Sequence, residues 1–306
     1  MALDFDQISA ITQKKFIPKM VDNIFDSDPL LQRLKKKSYK AVNGGTEIVQ
    51  PLLYAQLTSA GWYQGADTLL TSDNDTFTAA KYTWKQAYAN ITVSGRDERI
   101  NSGDAQMVDF VKSKTMLAEK TLIDILSDGI YSDGTNSKSI VGLQDICDTS
   151  STIGGISQSS YSWWQAYLNS SDTTLSLSVL QTMDTTLSKN NEGPTVYMAT
   201  RANYNRYYAL LQPQQRFMDE ETAKGGFSSL MFNGKPFIAG SKVPTNNVFA
   251  LNEAYLHLYY HPKCDMLFVP FERPNNQDVR VAKVLWMGAL GSSNNRMHGR
   301  CSALAA

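Results

Sequence analysis

Histidine and cysteine are scarce in this chain of 306 residues. Cysteine occurs only at Cys147, Cys264 and Cys301, with no C-x-x-C spacing. That excludes a disulfide framework and fits reduced, buried thiols. Histidine occurs only at His257, His261 and His298. His257 and His261 are four apart, but no Glu follows His257 and Pro262 follows His261, so a zinc-protease helix is excluded. On a strand the two would share a face and could form a metal trio with Cys264, although satisfied or exposed histidines are the commoner outcome. No G-x-S-x-G elbow is present, and Gly234-Lys235-Pro236 lacks the upstream glycine and the backbone N–H of a phosphate loop. No G-x-G-x-x-G follows a strand. Asp97-Glu98 and Asp219-Glu220-Glu221 read as solvated charge. The sequence therefore offers no catalytic residue, no cofactor-binding residue and no metal ligand, and the expectation is a protein that is not an enzyme and needs no cofactor.

An excess of charge of either sign is also missing: Lys plus Arg and Asp plus Glu are 29 each. That argues against tight, sequence-reading nucleic-acid binding over an open basic face, while leaving room for weak contact with packaged nucleic acid. It also removes long-range repulsion between copies. No apolar run reaches the roughly 18 residues of a membrane span, and MALDFDQISA is not a signal peptide. What is present is 42% hydrophobic and 19% charged residues, enough for a real core in one large domain or two ordinary ones.

A long helix over residues 102–131 organises the reading. Met107, Val111, Ala118, Leu122 and Ile125 recur on one stripe, which Phe110, Leu117 and Leu126 widen. Ser102 can cap it, and Asp104 lies in its first turn. Residues 1–45 read as an arm, with Ile8, Ile11, Phe16, Ile17, Met20, Val21, Ile24 and Phe25 in helical pieces broken at Pro18 and at Asp28-Pro29. Arg33, Lys35, Lys36, Lys37 and Lys40 could touch phosphate or form a solvated or inter-subunit face. Residues 46–96 read as a long hairpin whose return segment, Thr76 to Ser94, alternates without a break. That is far longer than the roughly five or six residues of an ordinary strand. Tyr82, Trp84 and Tyr88 on one of its faces are candidate inter-subunit contacts, as are Phe16, Ile17 and Phe25 of the arm. Two strands of an internal sheet are the alternative.

Beyond the helix, Ile140 to Leu143 with Ile146 suggest a short strand. Residues 149–176 suggest a structured loop anchored by Trp163-Trp164. An α/β region follows: a helix over 177–187, a strand over 195–198, a helix from Arg201 capped by Thr200, and strands from Lys235 and Val248. The C-terminal part reads as strands, with a long alternating one from Asp278 to Ala289 in which Ala282, Val284 and Trp286 share a face.

The order of arm, hairpin, long helix, α/β region and returning strand resembles the major capsid proteins of tailed bacteriophages. The segments carrying it are GKPFIAGSKVP, NVFALNEAYLHLYYHPKCDMLFVPFE, VRVAKVLWMGAL and NNRMHGRCSAL. The resemblance covers essentially the whole chain. It implies an α+β fold of the Hong Kong 97 type. Residues 1–45 would be the N-terminal arm and 46–101 the E-loop. Residues 102–150 and 266–288 would be a peripheral domain with its spine helix, and 151–265 with 289–306 an axial domain. It further implies self-assembly into pentamers and hexamers of an icosahedral shell around double-stranded DNA. The implied partners are a portal, a separate scaffolding protein (or else a scaffolding segment already removed) and packaged DNA, in a virion assembled in the host cytoplasm, with no membrane partner. Cross-linking of subunits is not expected. Two alternatives stay open: an encapsulin-like nanocompartment shell protein, and a monomeric ligand-binding α+β protein.

Overall fold

The computed structural model describes residues 28–100, 110–189, 191–215 and 230–304. The chain divides into two compact units, one of residues 1–25, 88–123 and 268–284, the other of residues 26–87, 124–267 and 285–306. The boundary falls inside four elements, residues 85–94, 110–130, 267–272 and 279–292.

The larger unit opens with helix α1 (Pro29–Lys37). Asp28 caps it, accepting from the Leu31 N–H at 3.0 Å, and Pro29 takes the first helical position, where a missing N–H costs nothing. Asp28-Pro29 thus starts a helix, where a break was expected. Leu30, Leu31 and Leu34 are buried on its inner side. Arg33 forks onto the buried Glu253 carboxylate at 2.6 and 2.8 Å, and Lys37 adds a third bond at 2.8 Å. Two members of the basic cluster therefore neutralise an internal carboxylate. Strand β1 (Tyr39–Ala41) follows and lies parallel to Leu258–Tyr260 of the same chain.

Strands β2 (Glu47–Leu53) and β3 (Phe77–Thr83) form an antiparallel two-stranded sheet. Strand β4 (Lys85–Ser94) is separate from it and pairs in another sheet. The unbroken return strand expected over 76–94 is thus two strands, divided at Trp84. The buried parity flips there: Ala80 and Tyr82 are buried before it, Ala89, Ile91 and Val93 after it. A one-residue change of phase turns every following side chain to the opposite face.

Helix α2 (Gly95–Ile100) precedes α3 (Phe110–Ile130). The expected cap at Ser102 and Asp104, and Met107 of the apolar stripe, lie outside the described residues. Along α3 the buried positions step by four: Ala118, Leu122, Leu126 and Ile130. Leu117 and Ile125, expected on the same stripe, are 48% and 44% exposed. Residues expected as a strand near Ile140 form the short helix α4 (Leu143–Ile146), with Ile140, Leu143 and Ile146 buried.

Strands β5 (Thr152–Ile153) and β6 (Ile156–Ser157) make a tight hairpin. Trp164 then anchors the following loop, 1% exposed, with its indole N–H on the Ile153 carbonyl at 3.2 Å. Next come β7 (Tyr167–Asn169), α5 (Leu177–Leu187), β8 (Val196–Ala199), α6 (Arg201–Gln215), β9 (Met231–Phe232), β10 (Lys235–Ala239), β11 (Val248–Leu251), β12 (Leu256–Tyr260), β13 (Leu267–Glu272), β14 (Val279–Ser292) and β15 (Gly299–Cys301). A six-stranded sheet in the order β7-β15-β11-β8-β10-β9 holds the main core. Leu180, Met183 and Leu187 of α5 and Tyr207 of α6 pack with Tyr197 and Phe237 from this sheet. In the second sheet β12 runs antiparallel to the last residues of β14, from Leu256↔Ser292 to Tyr260↔Gly288. As the alternation predicts, Ala282, Val284 and Trp286 face inward.

The smaller unit holds the Tyr88–Ser94 part of β4, the first turns of α3, and β13 beside the first half of β14. Within it the Lys114 ammonium donates to the Thr92 carbonyl at 2.7 Å, and Arg99 pairs with Asp278 at 3.0 Å.

Candidate assembly surface

The β2–β3 hairpin has two faces of opposite fate. Cross-strand pairs Ile48↔Tyr82, Gln50↔Ala80 and Leu52↔Thr78 point inward, and Ile48, Leu52, Ala80 and Tyr82 are buried. Pairs Val49↔Lys81, Pro51↔Ala79 and Leu53↔Phe77 point outward. On that side Val49, Leu53 and Phe77 are 56%, 70% and 77% exposed. Strands with one polar face alternate apolar and polar residues; here large apolar residues stand on both faces and only one face has a cover.

Anchors from the same unit hold the inner face. The Tyr82 hydroxyl donates to the Ser292 carbonyl at 2.6 Å and accepts from the Ser292 N–H at 3.0 Å. Its ring lies across Gly291, where a Cβ would stand 2.8 Å from it. The Tyr259 hydroxyl donates to Gln50 at 3.0 Å. Along the edge, the Lys81 N–H donates to the Gly154 carbonyl at 2.9 Å. Gly154 has φ +62°, and a Cβ there would come within 2.6 Å of the Ala80 Cβ, so the approach of the β5–β6 turn to β3 requires glycine. At the bend, Trp84 donates its indole N–H to the Gly45 carbonyl at 3.0 Å and meets His261 edge-on.

The hairpin is closed by residues 54–76, a long loop with little internal bonding. Asn74 ties its root to Gln56 and Thr58, and Asp67 closes a turn at Gln64. Loops beyond about 12–15 residues are uncommon in compact domains and tend to be functional. This one carries Trp62, fully exposed, together with exposed Tyr63, Leu69 and Leu70. It contains Asp67, Asp73 and Asp75 and no Lys or Arg.

The predicted contact residues separate on this geometry. Tyr82 is corrected: its ring and hydroxyl are consumed inside its own subunit, because the bend at Trp84 puts it on the inward phase. Trp84 is half-buried with its N–H already used, while Tyr88 is 64% exposed. Phe16, Ile17 and Phe25 lie outside the described residues. The sequence reading did not single out Val49, Leu53 and Phe77 of the outward face or the loop apolars, which the structure leaves exposed. Their signal was there to find, in the paired apolar residues Trp62-Tyr63 and Leu69-Leu70 inside a Gly- and Asp-rich loop.

The histidines have separate, local tasks. His298 is buried, its Nδ1 accepting from the Asn252 N–H at 3.4 Å, and burial pushes its pKa down to about 3. His257 lies against Ser293 and Lys40, and burial with the Lys40 charge lowers its pKa to about 4. His261 Nδ1 accepts from the Lys263 N–H at 3.2 Å. Among the described residues no group of three or more His, Cys, Asp or Glu is placed to hold a metal.

No family model and no curated protein sequence matches the chain. Solved structures do. A chain of the cyanophage A-1(L) capsid asymmetric unit is 14% identical with a TM-score of 0.73, over 99% of this chain and 100% of the other. The capsid of a native GTA particle gives 9% identity and 0.72 over the same shares. The holo-SrpI encapsulin complex of Synechococcus elongatus PCC 7942 gives 11% and 0.65, over 99% of this chain and 96% of the other. At these identities the likeness speaks for the fold, and the chain has the α+β capsid fold of the Hong Kong 97 type.

Proposed function

We propose that this chain is the major shell subunit of a tailed bacteriophage, assembling with copies of itself into pentamers and hexamers of an icosahedral capsid around double-stranded DNA. The observation that carries the reading is the uncovered apolar side of the β2–β3 hairpin and its loop, on a fold matched end to end by capsid chains. Burying each large apolar side chain in a contact stabilises it by about 1.5–3 kcal/mol. One hairpin is a weak contact alone, but a subunit held by several neighbours gains by avidity, and ring-closing heterologous contacts suit that use.

The division into arm, E-loop, peripheral and axial domains is part of the proposal, with one change. Pro29–Ala41 is bonded to its own chain by α1 and β1, so the arm ends before Pro29. A portal, a separate scaffold and packaged DNA are the proposed partners. The proposed place is the virion, built in the host cytoplasm. The role is structural, without catalysis. A second reading, a nanocompartment shell loaded with protein, is supported by the likeness to the encapsulin chain.

The test is expression of the chain alone and with a candidate scaffold, with particle mass from sedimentation and shape from negative-stain imaging. Closed shells or stable five- and six-membered rings are expected. DNA in the particles supports the phage reading and a protein cargo the nanocompartment, whereas a folded monomer at high concentration under both conditions overturns both.

A further inference from the structure

At the root of the hairpin the larger unit contains a cavity of about 620 Å³. It is lined by the root of the hairpin, the Trp163-Trp164 loop after β6, the turn after α5, Tyr255 before β12, and the turn after β14. Tyr54 and Trp163 form one wall, their rings 5.3 Å apart, and Trp163 is backed by the buried Trp164. The lining also includes Lys189, Asn294 and Arg296. Among the described residues the only carboxylate in the lining, Glu192, is taken by the Tyr255 hydroxyl. Among the described residues neither Lys189 nor Arg296 has an ion-pair partner. The cavity is thus a preformed pocket with an aromatic wall and two uncommitted cations. It suits an occupant that brings aromatic surface and negative charge together.

The chain itself carries such an occupant. Residues 54–76 hold Trp62 and Tyr63 with Asp67, Asp73 and Asp75, and no cation. Trp62 stands 105% exposed, so the cavity of its own subunit does not contain it. We infer that the loop tip of one copy docks in the cavity of a second copy, with the Trp62-Tyr63 pair against Tyr54 and Trp163 and the loop aspartates facing Lys189 and Arg296. This rests on the shell-subunit reading and adds the receiving site to it. The contact is heterologous, since tip and cavity are different surfaces, and repeated around an axis it closes a ring. Trp and Tyr buried at the centre of an interface, with opposite charge at the rim, are the usual carriers of affinity and register.

The experiment is a directed disulfide in the full chain, with Cys264→Ser to remove the partly exposed thiol. Trp62→Cys and Asn294→Cys are combined, and mild oxidation is followed by denaturing electrophoresis. A ladder of covalent dimers up to rings is expected. In parallel, Trp62→Ala and the pair Lys189→Glu with Arg296→Glu are each expected to reduce the apparent association constant by about tenfold or more, near 1.4 kcal/mol. Adding Asp67→Lys, Asp73→Lys and Asp75→Lys to the charge-reversed pair is expected to restore it. Trp62 is free of its own subunit, so its replacement cannot act through misfolding. Shells that form without a ladder, or whose assembly ignores Trp62→Ala, overturn this docking and leave the shell reading standing. A ladder confined to an intrachain product overturns the second-copy assignment. Wild-type chain that stays monomeric overturns both.

Discussion

The six-stranded sheet and the β2–β3 hairpin are built from the same kinds of residue, and they end in opposite environments. In the sheet every residue of β8 and β11 is buried: Tyr197, Ala199, Val248 and Ala250 pack with α5 and α6, and Phe249 on the other face meets Tyr131. In the hairpin Ile48 is covered and its neighbour Val49 is not. A buried apolar side chain contributes to the stability of the chain that owns it. An uncovered one contributes nothing to that chain and becomes useful only when something else covers it. On the proposed reading the sheet serves folding and the hairpin's outer side serves association, and the two should respond independently to mutation.

The largest effect on the isolated chain is expected in the sheet. Phe249→Ala, at a fully buried position in β11, should cost about 3–5 kcal/mol through lost burial and a cavity, read as a shift in urea midpoint. A smaller effect belongs to the hairpin's inner face. Tyr82→Phe leaves the Ser292 N–H and carbonyl without their hydroxyl partner, and should cost about 1–3 kcal/mol in the same assay. Smallest is the outer face: Leu53→Ser with Phe77→Ser should leave the urea midpoint of the monomer within about 0.5 kcal/mol, yet abolish sedimenting particles. Loss of monomer stability in that last variant would mean the outer face is not spare, and the comparison would fail.

Acid should weaken the covered regions in two stages. His257 and His298 are held neutral by burial, at pKa values of about 4 and 3 against an ordinary 6.5. The unfolded chain therefore binds more protons than the folded one below pH 6.5, and stability falls as pH drops from there towards 4. Glu253 adds to this at lower pH. Burial raises its pKa, but the Arg33 and Lys37 bonds outweigh that and leave it below its ordinary value of 4.5. Its contribution is present above that value and is lost as pH falls through the lower folded value, releasing α1. Urea midpoints at pH 7, 5 and 4 should decline in order, and His257→Gln should flatten the first step.

The long alternating strand β14, the helices α5 and α6 and the hairpin's existence were legible because each rests on local pattern and caps. The Asn233-Gly234 turn has the same local origin: both residues take positive φ there, 49° and 72°. The break at Trp84 was not legible, since alternation continues through it without a change of composition. Nor was the role of Asp28-Pro29, because the same dipeptide can end one helix or begin another, and the packing of Leu30, Leu31 and Leu34 decides between them.

Read alone, the sequence determined that the chain has a large mixed core, carries no recognisable catalytic set, and contains a hairpin too long for an ordinary strand pair. Only the tertiary structure decided which of those apolar residues are spent internally. Tyr82 is bound to β14 and Leu122 is buried, while Val49, Leu53, Trp62 and Leu117 are left outside. Periodicity ranks faces within one element, but cover comes from residues far away in sequence, and their approach is settled by packing of the whole chain.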